Sequence, residues 1–207
     1  MSVQAVLFDL DGVLVDACDW HYFSLNRALG GIGLNPISRE DHINIYNGLP
    51  TNVKLQMLGL NETESAIVWQ EKQNFTLDTI RNNSKIQEEK IELLRHLREQ
   101  GINIACVTNS IEETTNEMLK STGQFDFFDL IITNEMVSNN KPYPDCYNLA
   151  VESLDVNPNQ CIIVEDSPKG LESAKASVVP NQNIWTVQNS TDVEIKNYRR
   201  FVSENFN

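Results

Sequence analysis

Ala5-Val6-Leu7-Phe8-Asp9-Leu10-Asp11-Gly12, close to the start of a 207-residue chain, joins four consecutive apolar residues to two carboxylates and a glycine. A near-continuous apolar run of this length reads as a strand covered on both faces, as in a parallel sheet. Runs of the same kind recur at Ile102 to Val107, Leu130-Ile131-Ile132, Ile162-Ile163-Val164 and Ile184-Trp185-Thr186-Val187. Helical signals fill the gaps between them. Ile86, Leu93, Leu94 and Leu97 share one helical face before Gly101, a plausible helix stop. Ser110 with Glu113 reads as a capping box, and Ser167-Pro168 as an N-cap and first helical position. Alternation of this sort implies an open α/β sheet.

From Asp16 to Lys85 the strand-like runs disappear. Phe23, Leu25, Leu29, Val53, Leu55, Leu58, Ile67, Val68, Phe75, Leu77 and Ile80 are spaced as on amphipathic helices. Breaks at Gly30-Gly31, Gly33, Asn35-Pro36, Gly48 to Pro50 and Gly59 divide the stretch into roughly four helices. The expected organisation is therefore an α/β core of residues 1–15 and 86–207, with an all-helical domain of residues 16–85 inserted after the first strand.

Composition narrows the partners. With 29 acidic against 16 basic residues, the net charge of −13 opposes nucleic acid and anionic membranes. An anionic substrate would need locally placed cations. The N-terminal segment has no basic leader, and its apolar run is broken at Asp9. Cys18, Cys106, Cys146 and Cys161 are scattered, without a CxxC pair, which argues against zinc and a disulfide scaffold. A reduced cytoplasm is the expected home.

In an open α/β sheet, ligands bind outside the carboxyl ends of the strands. The residues just beyond those ends are Asp9 and Asp11; Thr108, Asn109 and Ser110; Lys141; and Glu165, Asp166 and Ser167. Four carboxylates gathered at one edge raise each other's pKa. A divalent cation such as Mg²⁺, which favours oxygen ligands, relieves that crowding. The lysine and the hydroxyl are then suited to hold phosphate oxygens.

These segments resemble the four motifs of the haloacid dehalogenase superfamily. Asp9 to Asp16 is similar to the first, Val107-Thr108-Asn109-Ser110 to the second, Lys141-Pro142-Tyr143-Pro144-Asp145 to the third, and Val164-Glu165-Asp166-Ser167 with Gly170 to the fourth. The resemblance implies a Rossmann-like core carrying a helical cap, and a Mg²⁺-dependent phosphatase acting through an aspartyl-phosphate. It makes Asp9 the nucleophile and Asp11 the acid and then base. Asp9, Asp11 (through its carbonyl) and Asp166 would hold the metal, with Glu165 a ligand or its close partner. Thr108, the Asn109 backbone and Lys141 would bind the phosphoryl group. Aspartate at position 11 favours phosphatases and phosphomutases over dehalogenases.

The group within that superfamily that this chain most resembles contains β-phosphoglucomutase and small sugar-phosphate phosphatases, so a small phosphorylated metabolite is the expected partner and a monomer the expected state. His21 and Lys72 fall where such members place cap residues near the substrate. Lys72, in Gln70-Glu71-Lys72-Gln73, also reads as a solvated helix face, and His42 and His96 are expected to face solvent. Gly48 is followed by Leu49-Pro50-Thr51-Asn52 where the mutase carries an arginine, which favours phosphatase over mutase. Ala176-Ser177-Val178-Val179 lacks a glycine usual after the fourth motif. A receiver-like signalling module, which also stores phosphate on an aspartate, is the rival reading. The helical insert after the first strand argues against it.

Overall fold

The computed structural model describes residues 2–206. Five strands are present among them: β1 (Ala5–Phe8), β2 (Asn103–Val107), β3 (Leu130–Ile132), β4 (Cys161–Glu165) and β5 (Ile184–Thr186). They form one parallel sheet in the order β3-β2-β1-β4-β5. β1 lies at the centre, with Phe8 level with Cys106 on one side and Val164 on the other. Its continuation, Asp9, is therefore delivered to the middle of the sheet edge. All four residues of β1 are fully buried, as a strand covered on both faces must be.

The polypeptide divides into two compact units, one of residues 1–16 and 85–207, the other of residues 17–84. The second unit is helical: α1 (Cys18–Gly31), the short α2 (Arg39–Asp41) running into a π turn at His42–Tyr46, α3 (Thr51–Met57) and α4 (Glu62–Asn83). Leu25, Ala28, Leu29, Ile37, Leu55 and Val68 form its core, and α1 packs along α4. Asn61 and Glu64 close a reciprocal capping box at the start of α4. The link before α2 is held by Asn26, whose carboxamide exchanges two hydrogen bonds with the Ile37 backbone.

The first unit continues with α5 (Glu88–Glu99), α6 (Glu112–Ser121), α7 (Asp145–Ser153), α8 (Pro168–Ala176) and α9 (Ile195–Asn205). Alternation along the strands sends Ala5, Leu7, Ala105, Val107, Cys161 and Ile163 to one face, where they meet Tyr147 and Ala150 of α7 and Ala174 of α8. α5 packs against β2, and α9 packs on α5. Among the described residues, no helix is long and apolar enough to cross a membrane.

Four details depart from the sequence reading. Ile86 lies before α5 and is exposed, so it is not on the buried helical face with Leu93, Leu94 and Leu97. Ser110 does not cap α6, whose N-cap is Ile111; its hydroxyl is engaged elsewhere, as described below. His42 is fully buried rather than solvent-facing, while His96 is half-buried against the Tyr198 ring. The Ala176 to Val179 turn manages without glycine, because the Ser177 hydroxyl donates to Ala174 O and accepts from the Val179 N–H. Ser167 and Pro168 do occupy the N-cap and first position of α8.

Candidate active site

Asp9 extends β1 by one ladder bond, its N–H donating to Val164 O at 3.0 Å. Thr108 extends β2 in the same way toward Ile132 O at 2.9 Å. The Thr108 hydroxyl oxygen then accepts from the Ser110 N–H, which turns the chain so that Ser110 Oγ donates to Asp11 Oδ2 at 3.0 Å. Asp11 is thereby tethered by a residue of the second motif.

Lys141 reaches the same edge from the segment after β3. Its backbone is clamped by Asn109, whose Nδ2 donates to Lys141 O while Oδ1 accepts from the Lys141 N–H. The Lys141 ammonium is buried and donates to Asp9 Oδ1 and Glu165 Oε1, both at 2.6 Å, to Val107 O at 2.8 Å and to Tyr147 Oη at 3.0 Å. Burial works against the ammonium, but Asp9 and then Glu165 overcome it and hold Lys141 charged well above the usual lysine range.

Glu165 is fully buried, with both oxygens occupied. Oε1 accepts from Lys141 and from the Tyr147 hydroxyl, and Oε2 from the N–H groups of Asp166 and Ser167 and from the Ser167 hydroxyl. These bonds suit a counter-charge better than a metal ligand. Gly170 makes room for it, because a Cβ there would lie 1.9 Å from Glu165 Oε1. Gly12, at φ +91°, does the same for Asp166: a Cβ would fall 2.0 Å from its Oδ2.

Carboxylate oxygens of Asp9, Glu165 and Asp166 lie within 4.8 Å of one another. Asp166 Oδ1 is buried without a hydrogen-bond partner. Burial, then the charges of Glu165 and Asp11, push Asp166 up to about 7. Asp9 is raised well above the carboxylate range by burial first and by Glu165, against the pull of Lys141. A crowd of all-oxygen donors with one orphaned oxygen and two unfavourable charges fits a hard divalent cation.

The structure thus brings Asp9, Asp11, Thr108, Asn109, Lys141, Glu165 and Asp166 to the carboxyl edge of one sheet. His21 and Lys72 belong to the other unit, where they meet each other: both are buried, and Lys72 Nζ donates to His21 Nδ1 at 3.3 Å. Lys72 is therefore not on a solvated face. Tyr147 went unread in the sequence, since an aromatic on a helix otherwise reads as core. The tethering role of Ser110 was hidden behind a capping pattern that its motif also satisfies.

A family model described as haloacid dehalogenase-like hydrolase matches residues 6–182. The phosphorylated carbohydrates phosphatase of Thermotoga maritima is 28% identical over 181 residues, covering 84% of this chain and 82% of that protein. A phosphoglycolate phosphatase of Thiobacillus denitrificans is 26% identical, with 87% and 82% covered. Among solved structures, β-phosphoglucomutase of Clostridium difficile superposes with a TM-score of 0.80, 22% identity and 99% of both chains covered, a likeness of fold.

Proposed function

The chain belongs to the haloacid dehalogenase-like hydrolases, and from that premise we propose that it is a Mg²⁺-dependent phosphatase that hydrolyses small phosphate monoesters through an acyl phosphate on Asp9. The observation that carries this reading is the Lys141 ammonium held between Asp9 and Glu165, beside an Asp166 oxygen with no hydrogen-bond partner. Asp9, Asp166 and the Asp11 carbonyl would hold the ion, which supplies charge neutralisation for the incoming phosphoryl group.

Asp9 is a nucleophile whose attack forms a bond to phosphorus as the bond to the leaving alcohol breaks. Asp11, protonated beforehand, passes its proton to that alcohol oxygen. It next takes a proton from water, which attacks phosphorus and restores the Asp9 carboxylate, so Asp11 ends the cycle protonated again. Ser110 keeps the Asp11 carboxyl oriented for both transfers. Lys141 and Thr108 neutralise and position the phosphoryl oxygens, which is most of what phosphoryl transfer requires. His21 and Lys72 are assigned to the leaving group. The relatives named for phosphorylated carbohydrates and for phosphoglycolate point to substrates of that size. Hydrolysis is favoured over mutase chemistry because Gly48-Leu49-Pro50-Thr51-Asn52 offers no arginine for a second phosphate.

The test is release of inorganic phosphate from an aryl phosphate and from a panel of sugar phosphates, phosphoglycolate and nucleoside monophosphates. Release should need Mg²⁺ and be abolished by Asp9→Asn. Asp11→Asn should cost nearly as much. Folded protein that liberates no phosphate from the panel would refute the proposal.

A further inference from the structure

We infer that Tyr147 is a positioning residue for this reaction: its hydroxyl is the anchor that keeps the Lys141 ammonium in place when Asp9 becomes phosphorylated. The inference rests on the functional reading above, but concerns a residue outside the four motifs. Tyr147 is fully buried on α7, six residues beyond Lys141. Its ring lies under the ammonium, with Nζ 4.7 Å from the centroid.

The hydrogen-bond count is the argument. An ammonium has three protons and a phenol has one. The Tyr147 hydroxyl donates its proton to Glu165 Oε1 at 2.8 Å, so toward Lys141 it can only accept. Lys141 therefore faces four acceptors, Asp9 Oδ1, Glu165 Oε1, Val107 O and Tyr147 Oη, with three protons to give. When Asp9 carries the phosphoryl group and loses its charge, a phosphoryl oxygen takes its place among the acceptors, while the other three belong to groups the reaction does not alter. The cation stays where the phosphoryl oxygens need it, without moving between the two half-reactions. Remove the hydroxyl and the balance tips: Asp9 takes a larger share of the ammonium, which quenches the nucleophile, and Lys141 must shift once that bond is lost.

Tyr147→Phe deletes the oxygen and keeps the ring in the core. The expected result is a fall in kcat of about tenfold, the scale of one hydrogen bond to a charged group, with KM and the half-saturating Mg²⁺ concentration unchanged. A loosened site would instead raise KM and the Mg²⁺ requirement together with the loss of kcat, and that pattern would overturn the inference, as would a kcat within twofold of the parent. Glu165→Gln combined with Tyr147→Phe should cost less than the two single losses multiplied, because they cut one link.

A second arm does not depend on turnover. The Lys141 ammonium, recorded by ¹⁵N-edited NMR, should shift and exchange faster with water in Tyr147→Phe than in the parent. An unchanged signal overturns the inference. A shifted signal in a protein that releases no phosphate would leave the anchor standing and remove the proposed phosphatase activity.

Discussion

Lys141 in the core unit and Lys72 in the helical unit are almost equally buried, 4% and 5% exposed. Lys141 donates at 2.6 Å to two carboxylates, and a carbonyl and a phenol complete its surroundings. Lys72 donates, among its contacts, to a histidine nitrogen and a carboxamide oxygen, at 3.3 and 3.4 Å. The chain of polar contacts continues from Gln73 Nε2 to Thr51 Oγ1, again at 3.4 Å. Short, charge-assisted bonds fix a geometry; long bonds between a cation and neutral acceptors can be redrawn. The core site is preassembled by opposite charges from the ends of β1 and β4 and from the segment after β3, with the Tyr147 phenol of α7 beside them, which suits chemistry common to many phosphate esters. Under the proposed function, the cluster of the helical unit is the one assigned to the group that carries the phosphate.

Substituting the two lysines separates these roles most sharply. Lys141→Met should lower phosphate release by roughly 10³-fold, in the range seen when a preorganised charge donor is removed. It should also destabilise the fold by roughly 3–5 kcal/mol, because Asp9 and Glu165 would be left as uncompensated buried charges. Lys72→Met should cost about tenfold or less, mostly in KM and to a degree that varies with the substrate. Steady-state kinetics on several esters, together with denaturant unfolding, checks both halves. Equal effects at the two lysines would erase the distinction.

Next in size is Gly12→Ala, confined to the core. The new Cβ would have to displace the Asp166 carboxylate and adopt an unfavourable positive φ. The half-saturating Mg²⁺ concentration should rise by about 10- to 100-fold, the usual consequence of misplacing a ligand's support. Titration of Mg²⁺ against phosphate release measures it.

The two units should also answer pH in opposite directions. Asp166, raised to about 7, keeps its proton in the metal-free fold where an unfolded carboxyl would have lost it. Its contribution to stability is whole below about pH 4 and is lost as pH rises toward 7. The same proton competes with the cation, so Mg²⁺ affinity should weaken as pH falls through 7, which calorimetric titration at several pH values would detect. His42 behaves inversely. Burial first, then the positive charge of Lys54, depress it to about 4. Its contribution is whole above about pH 6.5 and is lost as pH falls toward 4. The difference in thermal midpoint between the parent and His42→Gln should shrink over that interval, by roughly 2–4 °C per kcal/mol for a chain of this size.

How far each site could be read from the sequence follows the same division. At the strand ends, a ladder fixes where every residue goes, so an apolar run followed by Asp9, Thr108 or Glu165 gives both the element and the edge it serves. Lys141, nine residues beyond the end of β3, is readable only from the motif it resembles. What escaped was the third dimension. Tyr147 is brought under Lys141 by the packing of α7 on the sheet, and Ser110 is turned toward Asp11 by one bond to Thr108 Oγ1. Neither is encoded in local pattern. The helical unit has no ladder, and residues in charged helical surroundings read as solvated; hence His42 reads as solvent-facing and Lys72 either as solvated or as near the substrate, while both side chains are buried. The π turn that begins at His42 shifts the helical phase there, so a 3.6-residue periodicity could not place that side chain.

Acid quenching of the enzyme during turnover, followed by peptide mass spectrometry, asks directly whether Asp9 carries phosphate. The expected finding is a hydroxylamine-labile phosphoryl group on the peptide containing Asp9, formed with Mg²⁺ and substrate and missing from Asp9→Asn. Rapid phosphate release with that peptide unmodified at every quench time, or with the label on another residue, would contradict the mechanism.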